Sequence, residues 1–167
     1  MMQDSSNTID LSAPSRCTDD QKALPCTCLR LRRIARQITS VYDAALEPHG
    51  VSIVTYAVLS TLHRDAPMTL SALAEGVGTD RTTLSRTVER MRCADLVAAC
   101  PGDDRRERRL SLTAHGKETF QAARKSWRET ATHLEARYGA ERLAALHVLL
   151  ADLEKVAQDD LVLDPGE

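Results

Sequence analysis

Apolar residues recur along most of this chain at three- and four-residue intervals, the spacing that gives an α-helix one buried stripe. Leu31, Ile34, Ile38, Val41 and Ala45 form the first such stripe, which Pro48 and Gly50 close. Ser52 can cap a second helix carrying Val54, Val58, Leu59 and Leu62, with a stop near "HRDAP". "MTLSALAEGVG" predicts a short third helix that turns Leu70, Leu73, Ala74 and Val77 inward and that Gly76 and Gly78 end. "TDRTTLSRTVERM" predicts a fourth, with Thr79 or Asp80 as its cap and Leu84, Val88 and Met91 as its buried face. Farther on, Phe120, Ala123, Trp127, Ala131, Leu134 and Tyr138 mark a long helix. Leu143, Leu146, Leu150, Leu153 and Val156 mark a last one, separated from it at Gly139.

Between the fourth and fifth helices the period changes. "DLVAAC" and "RRLSLT" read as two strands around "PGDDRRE", where Pro-Gly and Asp-Asp supply a turn. Two short helices joined at a glycine outline a helix-turn-helix, and a hairpin directly after it makes the winged form. The expected fold is therefore mainly α with a small β-hairpin wing, a winged helix-turn-helix joined to a helical dimerisation region. Its divisions are a flexible N-terminal arm over residues 1–24, dimerisation helices over 25–50 and 113–160, the winged helix-turn-helix over 51–112, and a flexible tail over 161–167. The end helices carry more apolar surface than so small a central domain can cover, which predicts a second copy of the chain as partner.

Charge sharpens this picture. The net charge is -2, yet arginines concentrate between Arg81 and Arg109 while the segment from Arg137 onward is acidic. A basic centre between acidic ends suggests a local site for a polyanion. On the fourth helix, the face opposite the apolar stripe shows Arg81, Thr82, Thr83, Ser85 and Arg86. Arginine pairs bidentately with guanine edges, and Ser and Thr reach bases or phosphates, so this face suits a DNA major groove. In the hairpin, Asp104 and Arg106 are spaced to pair and hold the turn. Arg105, Arg106 and Arg108 are then free to meet a narrow, electronegative minor groove.

Composition excludes several classes. "MMQDSSNTID" lacks a basic start and an apolar run, and no stretch reaches the ~20 apolar residues of a membrane span, so a cytoplasmic protein without membrane contact is expected. The five cysteines, Cys17, Cys26, Cys28, Cys93 and Cys100, read as free thiols. Cys93 and Cys100 are assigned to the winged-helix core. No phosphate-binding glycine loop, nucleophile motif or His-Glu-x-x-His helix is present, so no enzyme, catalytic residue, metal site or cofactor is assigned.

The run "LSALAEGVGTDRTTLSRTVERMRCADLV" followed by "DDRRERRLSLTAHG" resembles the bacterial MarR family of winged-helix transcription regulators. The match rests on Asp104 and Arg106 in the wing, then Leu112, Thr113 and Gly116 at the family's spacing, and extends over most of residues 28–157. The resemblance implies a homodimer on a pseudo-palindromic double-stranded operator, usually a repressor released by a small molecule or by oxidation. Cys28 falls at a position similar to the reactive cysteine of the family's organic-hydroperoxide-sensing branch, and Tyr42 matches a tyrosine that hydrogen-bonds it there. The branch's two other sensor tyrosines fall at Arg32 and Ile53, a departure from its pattern.

Independently of the resemblance, a helix N-terminus with Arg30 and Arg32 nearby favours thiolate at Cys26 and Cys28, and Cys26 or Cys17 can resolve an oxidised Cys28. A small-molecule inducer pocket drawing on His49, Tyr56, Trp127 and His133 is the competing sensor. A thiol redox protein using Cys26 and Cys28, and a winged helix devoted to protein contacts, are the alternatives to DNA binding.

Overall fold

The computed structural model describes residues 26–101 and 108–159. The chain divides into two units at Ala35/Arg36, and helix α1 (Thr27–Leu46) begins in the first and ends in the second. In the first unit Leu29 and Ile34 lie open, 67% and 52% exposed.

The second unit holds the core. After α1 the chain makes one 3-10 turn, Glu47–His49, with Pro48 inside it. It then reverses at Gly50, whose φ of +69° is a left-handed conformation that glycine adopts without strain. Ser52 caps α2 (Ile53–Asp65) by accepting from the Thr55 amide. Asp43, near the end of α1, accepts from the Ile53 amide at 2.7 Å and satisfies another of the free donors of that helix start. A two-residue strand β1 (Met68–Thr69) leads into α3 (Leu70–Val77), capped by Thr69 and closed by Gly78 in the left-handed conformation. Gly76 lies inside α3 instead of ending it; its Cα faces Thr61, where a Cβ would come within 3.2 Å of the methyl.

Helix α4 (Arg81–Cys93) starts three residues past Gly78, with Asp80 rather than Thr79 as its cap. Strands β2 (Val97–Pro101) and β3 (Arg108–Leu112) follow, then α5 (Ala114–Tyr138) and α6 (Ala140–Asp159). The antiparallel sheet has the order β1-β3-β2, with Val97 opposite Leu112, Ala99 opposite Leu110 and Met68 on the far side of Leu110. Arg108, Leu110 and Leu112 share one face of β3 by alternation; Leu110 and Leu112 are buried, and Arg108 is exposed because it stands at the end of the strand. β1 was not expected; two residues are too few to show an alternating pattern, and only pairing with β3 makes them a strand.

Leu46, Val58, Leu59, Leu62, Leu73 and Leu84 are the largest fully buried side chains among the described residues, joined by Val88, Met91, Leu96, Val97 and Phe120. The expected stripes of α3 and α4 therefore face this core, although Leu70 and Val77 are only half-buried. Two expectations are corrected. Val54 sits in the first turn of α2, at the rim of the core, and is 43% exposed. Cys93 is exposed because it stands two residues past buried Met91, about 200° around the helix, while Cys100 is half-buried with its thiol toward the Arg109 carbonyl. The α6 stripe is half-covered at Leu143, Leu146 and Leu150 and open at Leu153 and Val156. Among the described residues of α6, none is buried. The arm over 1–24, the tail over 161–167 and Cys17 lie outside the described residues.

Candidate nucleic-acid interface

The geometry of the site begins at the α3-α4 junction. Gly78 donates its amide to the Ala74 and Glu75 carbonyls, and Thr79 donates to Ala74, so α3 ends in one tight reversal. Asp80 then accepts from the Thr83 amide at 2.8 Å. The Thr83 side chain and amide, both hydrogen-bonded to this carboxylate, hold Asp80 below the ordinary carboxyl range. A charged cap also sits well against the positive end of the α4 dipole.

With α4 held in this way, Leu84, Thr87, Val88 and Met91 turn into the core. Thr87 is the one polar group in that stripe, and its hydroxyl donates to the Thr83 carbonyl, so its burial leaves no donor unpaired. Arg81, Thr82, Thr83, Ser85 and Arg86 are all exposed, as their spacing predicts. Neither Arg81 nor Arg86 has a carboxylate partner among the described residues. Arg90 and Arg92, by contrast, are turned to Thr87 and to Glu89. The first two turns of α4 thus present hydroxyls and two uncommitted guanidiniums on one convex face.

The wing is anchored from behind. Leu96 and Val97 enter the core at the start of β2, preceded by Asp95 at φ +54°, a left-handed residue that brings the chain out of α4. Thr113 caps α5 by accepting from the Gly116 amide, donates its hydroxyl to the Asp95 carbonyl, and bonds through its own amide to the Leu96 carbonyl. One threonine therefore ties the start of the hairpin, its end and the first turn of α5 together. Arg108 opens β3 opposite Pro101, exposed at the strand end on the face it shares with Leu110, and lies with Ser85 along a shallow cavity between α4 and the sheet. Asp104, Arg105 and Arg106 lie outside the described residues.

A helix-turn-helix domain family matches residues 54–98, the span from α2 to the start of β2. The crystal structure of the Mycobacterium tuberculosis transcriptional regulator MosR in complex with DNA is similar at a TM-score of 0.72 and 34% identity. The match covers 80% of this chain and 96% of that one. This chain belongs to the MarR family.

Other likenesses agree with the assignment. The HTH-type transcriptional regulator YwoH of Bacillus subtilis (strain 168) is 26% identical over 92 residues, 55% of this chain and 67% of that protein. The repressor CouR, bound to a 23-mer DNA duplex, shares the fold at a TM-score of 0.70 and 20% identity over 77% of this chain and 92% of that one. As a MarR-family transcriptional regulator the protein has α3 and α4 as its helix-turn-helix and β2-β3 as its wing.

The proposed sensor residues are distributed along α1 and beyond. Cys26 precedes α1 and Cys28 stands in its first turn, both exposed. Tyr42 is half-buried near the other end of that helix, its ring 6.3 Å from Trp127, and burial raises its phenol above the usual tyrosine range. Of the residues considered for an inducer pocket, Tyr56 and Trp127 line one cavity between α2 and α5, His49 hydrogen-bonds Ser126 at 2.9 Å, and His133 is exposed. Among the described residues, no three His, Cys, Asp or Glu are grouped to hold a metal ion, and no helix is long and apolar enough to cross a membrane.

Proposed function

We propose that this MarR-family protein is a homodimeric repressor that binds a pseudo-palindromic operator in double-stranded DNA and works in the cytoplasm. The observation that carries the reading is the uncommitted face of α4: Arg81, Thr82, Thr83, Ser85 and Arg86 exposed together on a helix whose other face is locked into the core. A recognition helix needs that division, because its base-reading side chains are positioned only as well as the helix beneath them. Arg108, with Arg105 and Arg106 of the hairpin, supplies the flanking minor-groove and phosphate contacts, and Asp104 pairs with Arg106 to hold the turn. MosR and CouR, both with DNA in their crystal structures, support the assignment.

The homodimer follows from apolar surface. Val41, Val148, Leu149, Leu153 and Val156 are each between 41% and 61% exposed in the second unit. Such helices are stable in water when a second copy covers them. Two-fold symmetry then spaces the half-sites about one helical turn, roughly 34 Å, apart.

Release is assigned to a small-molecule ligand or to oxidation at Cys28. In the second route the Cys28 thiolate attacks the O–O bond of an organic hydroperoxide, giving a sulfenic acid and an alcohol. Condensation with the thiol of Cys26 or Cys17 then forms a disulfide and releases water. The exposure of Cys26 and Cys28 supports this route; Tyr42, fourteen residues farther along α1 than Cys28, is assigned to hydrogen-bond that thiol across the homodimer and not within one chain.

Fluorescence anisotropy of a duplex taken from upstream of the protein's own coding sequence tests the reading. The parent binds in the nanomolar range, and Arg86→Ala loses about tenfold or more in affinity while remaining folded. Equal binding by parent and variant rejects α4 as the reading helix. Treatment with an organic hydroperoxide that abolishes binding in the parent but not in Cys28→Ser selects the thiol route; binding indifferent to oxidation selects the ligand route.

A further inference from the structure

Aromatic residues are scarce in this chain, with one Trp, one Phe and three Tyr. The Trp, the Phe and two of the Tyr nevertheless stand in one column. Tyr42 meets Trp127 at 6.3 Å, Trp127 meets Tyr56 at 5.5 Å, Tyr56 meets Phe120 at 5.6 Å, and Phe120 meets the His63 ring at 4.6 Å. Aliphatic side chains and Met91 fill the rest of the core.

Trp127, Tyr56, Phe120 and His63 of this column line a cavity of about 250 Å³ between α2 and α5, and the cavity also takes in Arg124 and Arg128. These two arginines sit one helical turn apart, on the same side of α5, with their Cβ atoms about 6 Å from each other. Neither has a carboxylate partner among the described residues. A third arginine at the rim, Arg64, is already paired with Asp65 at 2.8 Å. Both free guanidiniums act on the Tyr56 phenol, opposing the upward shift that burial gives it, so their charge reaches the aromatic wall.

We propose that this cavity binds a small phosphorylated ring compound, its ring packed on the Trp127 and Tyr56 wall and its phosphate held by Arg124 and Arg128. The volume admits one ring with one substituent and little more. Two full positive charges one turn apart are matched by a dianion, whereas a monocarboxylate leaves one of them uncompensated. The planar guanidinium forks also suit phosphate oxygens, which a pair of arginines can engage from two sides. The inference deepens the small-molecule route proposed above and depends on that reading only for its effect on DNA.

The single tryptophan makes binding directly readable on the full chain. Titration with phenyl phosphate is expected to change Trp127 fluorescence to saturation. Benzoate and inorganic phosphate each bind about tenfold more weakly or worse, and the Arg124→Gln/Arg128→Gln double variant loses about tenfold or more for phenyl phosphate. A response that does not saturate, or that the double variant retains in full, overturns the site. Benzoate binding as tightly as phenyl phosphate overturns the phosphate assignment, and inorganic phosphate doing so overturns the ring. Should circular dichroism show the double variant unfolded, exposed Arg128→Gln alone carries the comparison, with severalfold weakening expected and unchanged affinity overturning the site. Anisotropy of the duplex, measured in parallel, separates this inference from the regulator reading. Phenyl phosphate binding without duplex binding overturns the latter alone, and duplex binding with a silent Trp127 overturns the former alone.

Discussion

Gly116 and Leu96 are in direct backbone contact: a Cβ placed on Gly116 would collide with the Leu96 carbonyl oxygen. No side chain fits there, so the first turn of α5 can lie against the start of the wing only with glycine at this position. The same carbonyl accepts from the Thr113 amide, which makes Leu96 the point where hairpin and helix meet. Gly116→Ala is expected to push the two backbones apart and to cost about 1–3 kcal/mol, read as a lower urea midpoint at unchanged m-value. A variant as stable as the parent would show that the contact is loose.

Asp80 predicts a pH dependence of known sign. Its carboxyl is held below the usual range by hydrogen bonds from Thr83, so the folded protein binds that proton less readily than the unfolded chain. The stabilisation is fully present above the ordinary Asp value, about 3.9, and is lost as pH falls through the depressed folded value. Asp80→Asn retains the cap without the charge. The gap in melting temperature between parent and Asp80→Asn should therefore narrow as pH drops from neutral to about 3, and a gap constant across that range contradicts the assignment.

Arg108 is assigned to phosphate or minor-groove contact, not to base reading in the major groove. Arg108→Ala should weaken duplex binding to cognate and unrelated sequences alike and lower the slope of log K against log salt by about 1 per site. Arg86→Ala should instead narrow the difference between the two sequences. Anisotropy titrations at several salt concentrations distinguish these patterns.

Leu149 and Leu153 test the dimer. Leu149 is 55% exposed and Leu153 41% exposed, so charges there disturb little inside one chain. The double variant Leu149→Glu/Leu153→Glu is expected to sediment as a monomer while its circular dichroism stays helical, and duplex affinity should fall with the loss of the second half-site. A variant that remains dimeric places the interface elsewhere.

Local order was largely legible from residue types because local interactions create it. Ser52 and Asp80 bond amides three residues ahead, Gly78 takes a left-handed turn, and Leu84, Val88 and Met91 share one face by helical period alone. Those features also exposed the α4 reading face, since a buried stripe leaves its opposite side to solvent. What depended on residues distant in sequence could not be read in this way. The pairing of Met68 with Leu110 makes a strand of a two-residue segment, Asp43 reaches the start of α2, and Thr113 closes on Asp95. The aromatic column joins residues from α1, α2 and α5, and no periodicity within one helix announces it. Sequence alone determined where the helices run and which face of α4 is exposed, because hydrogen bonds and side-chain period act within a few residues. The tertiary structure decided which faces meet, because close packing is a property of surfaces that the chain brings together only when folded.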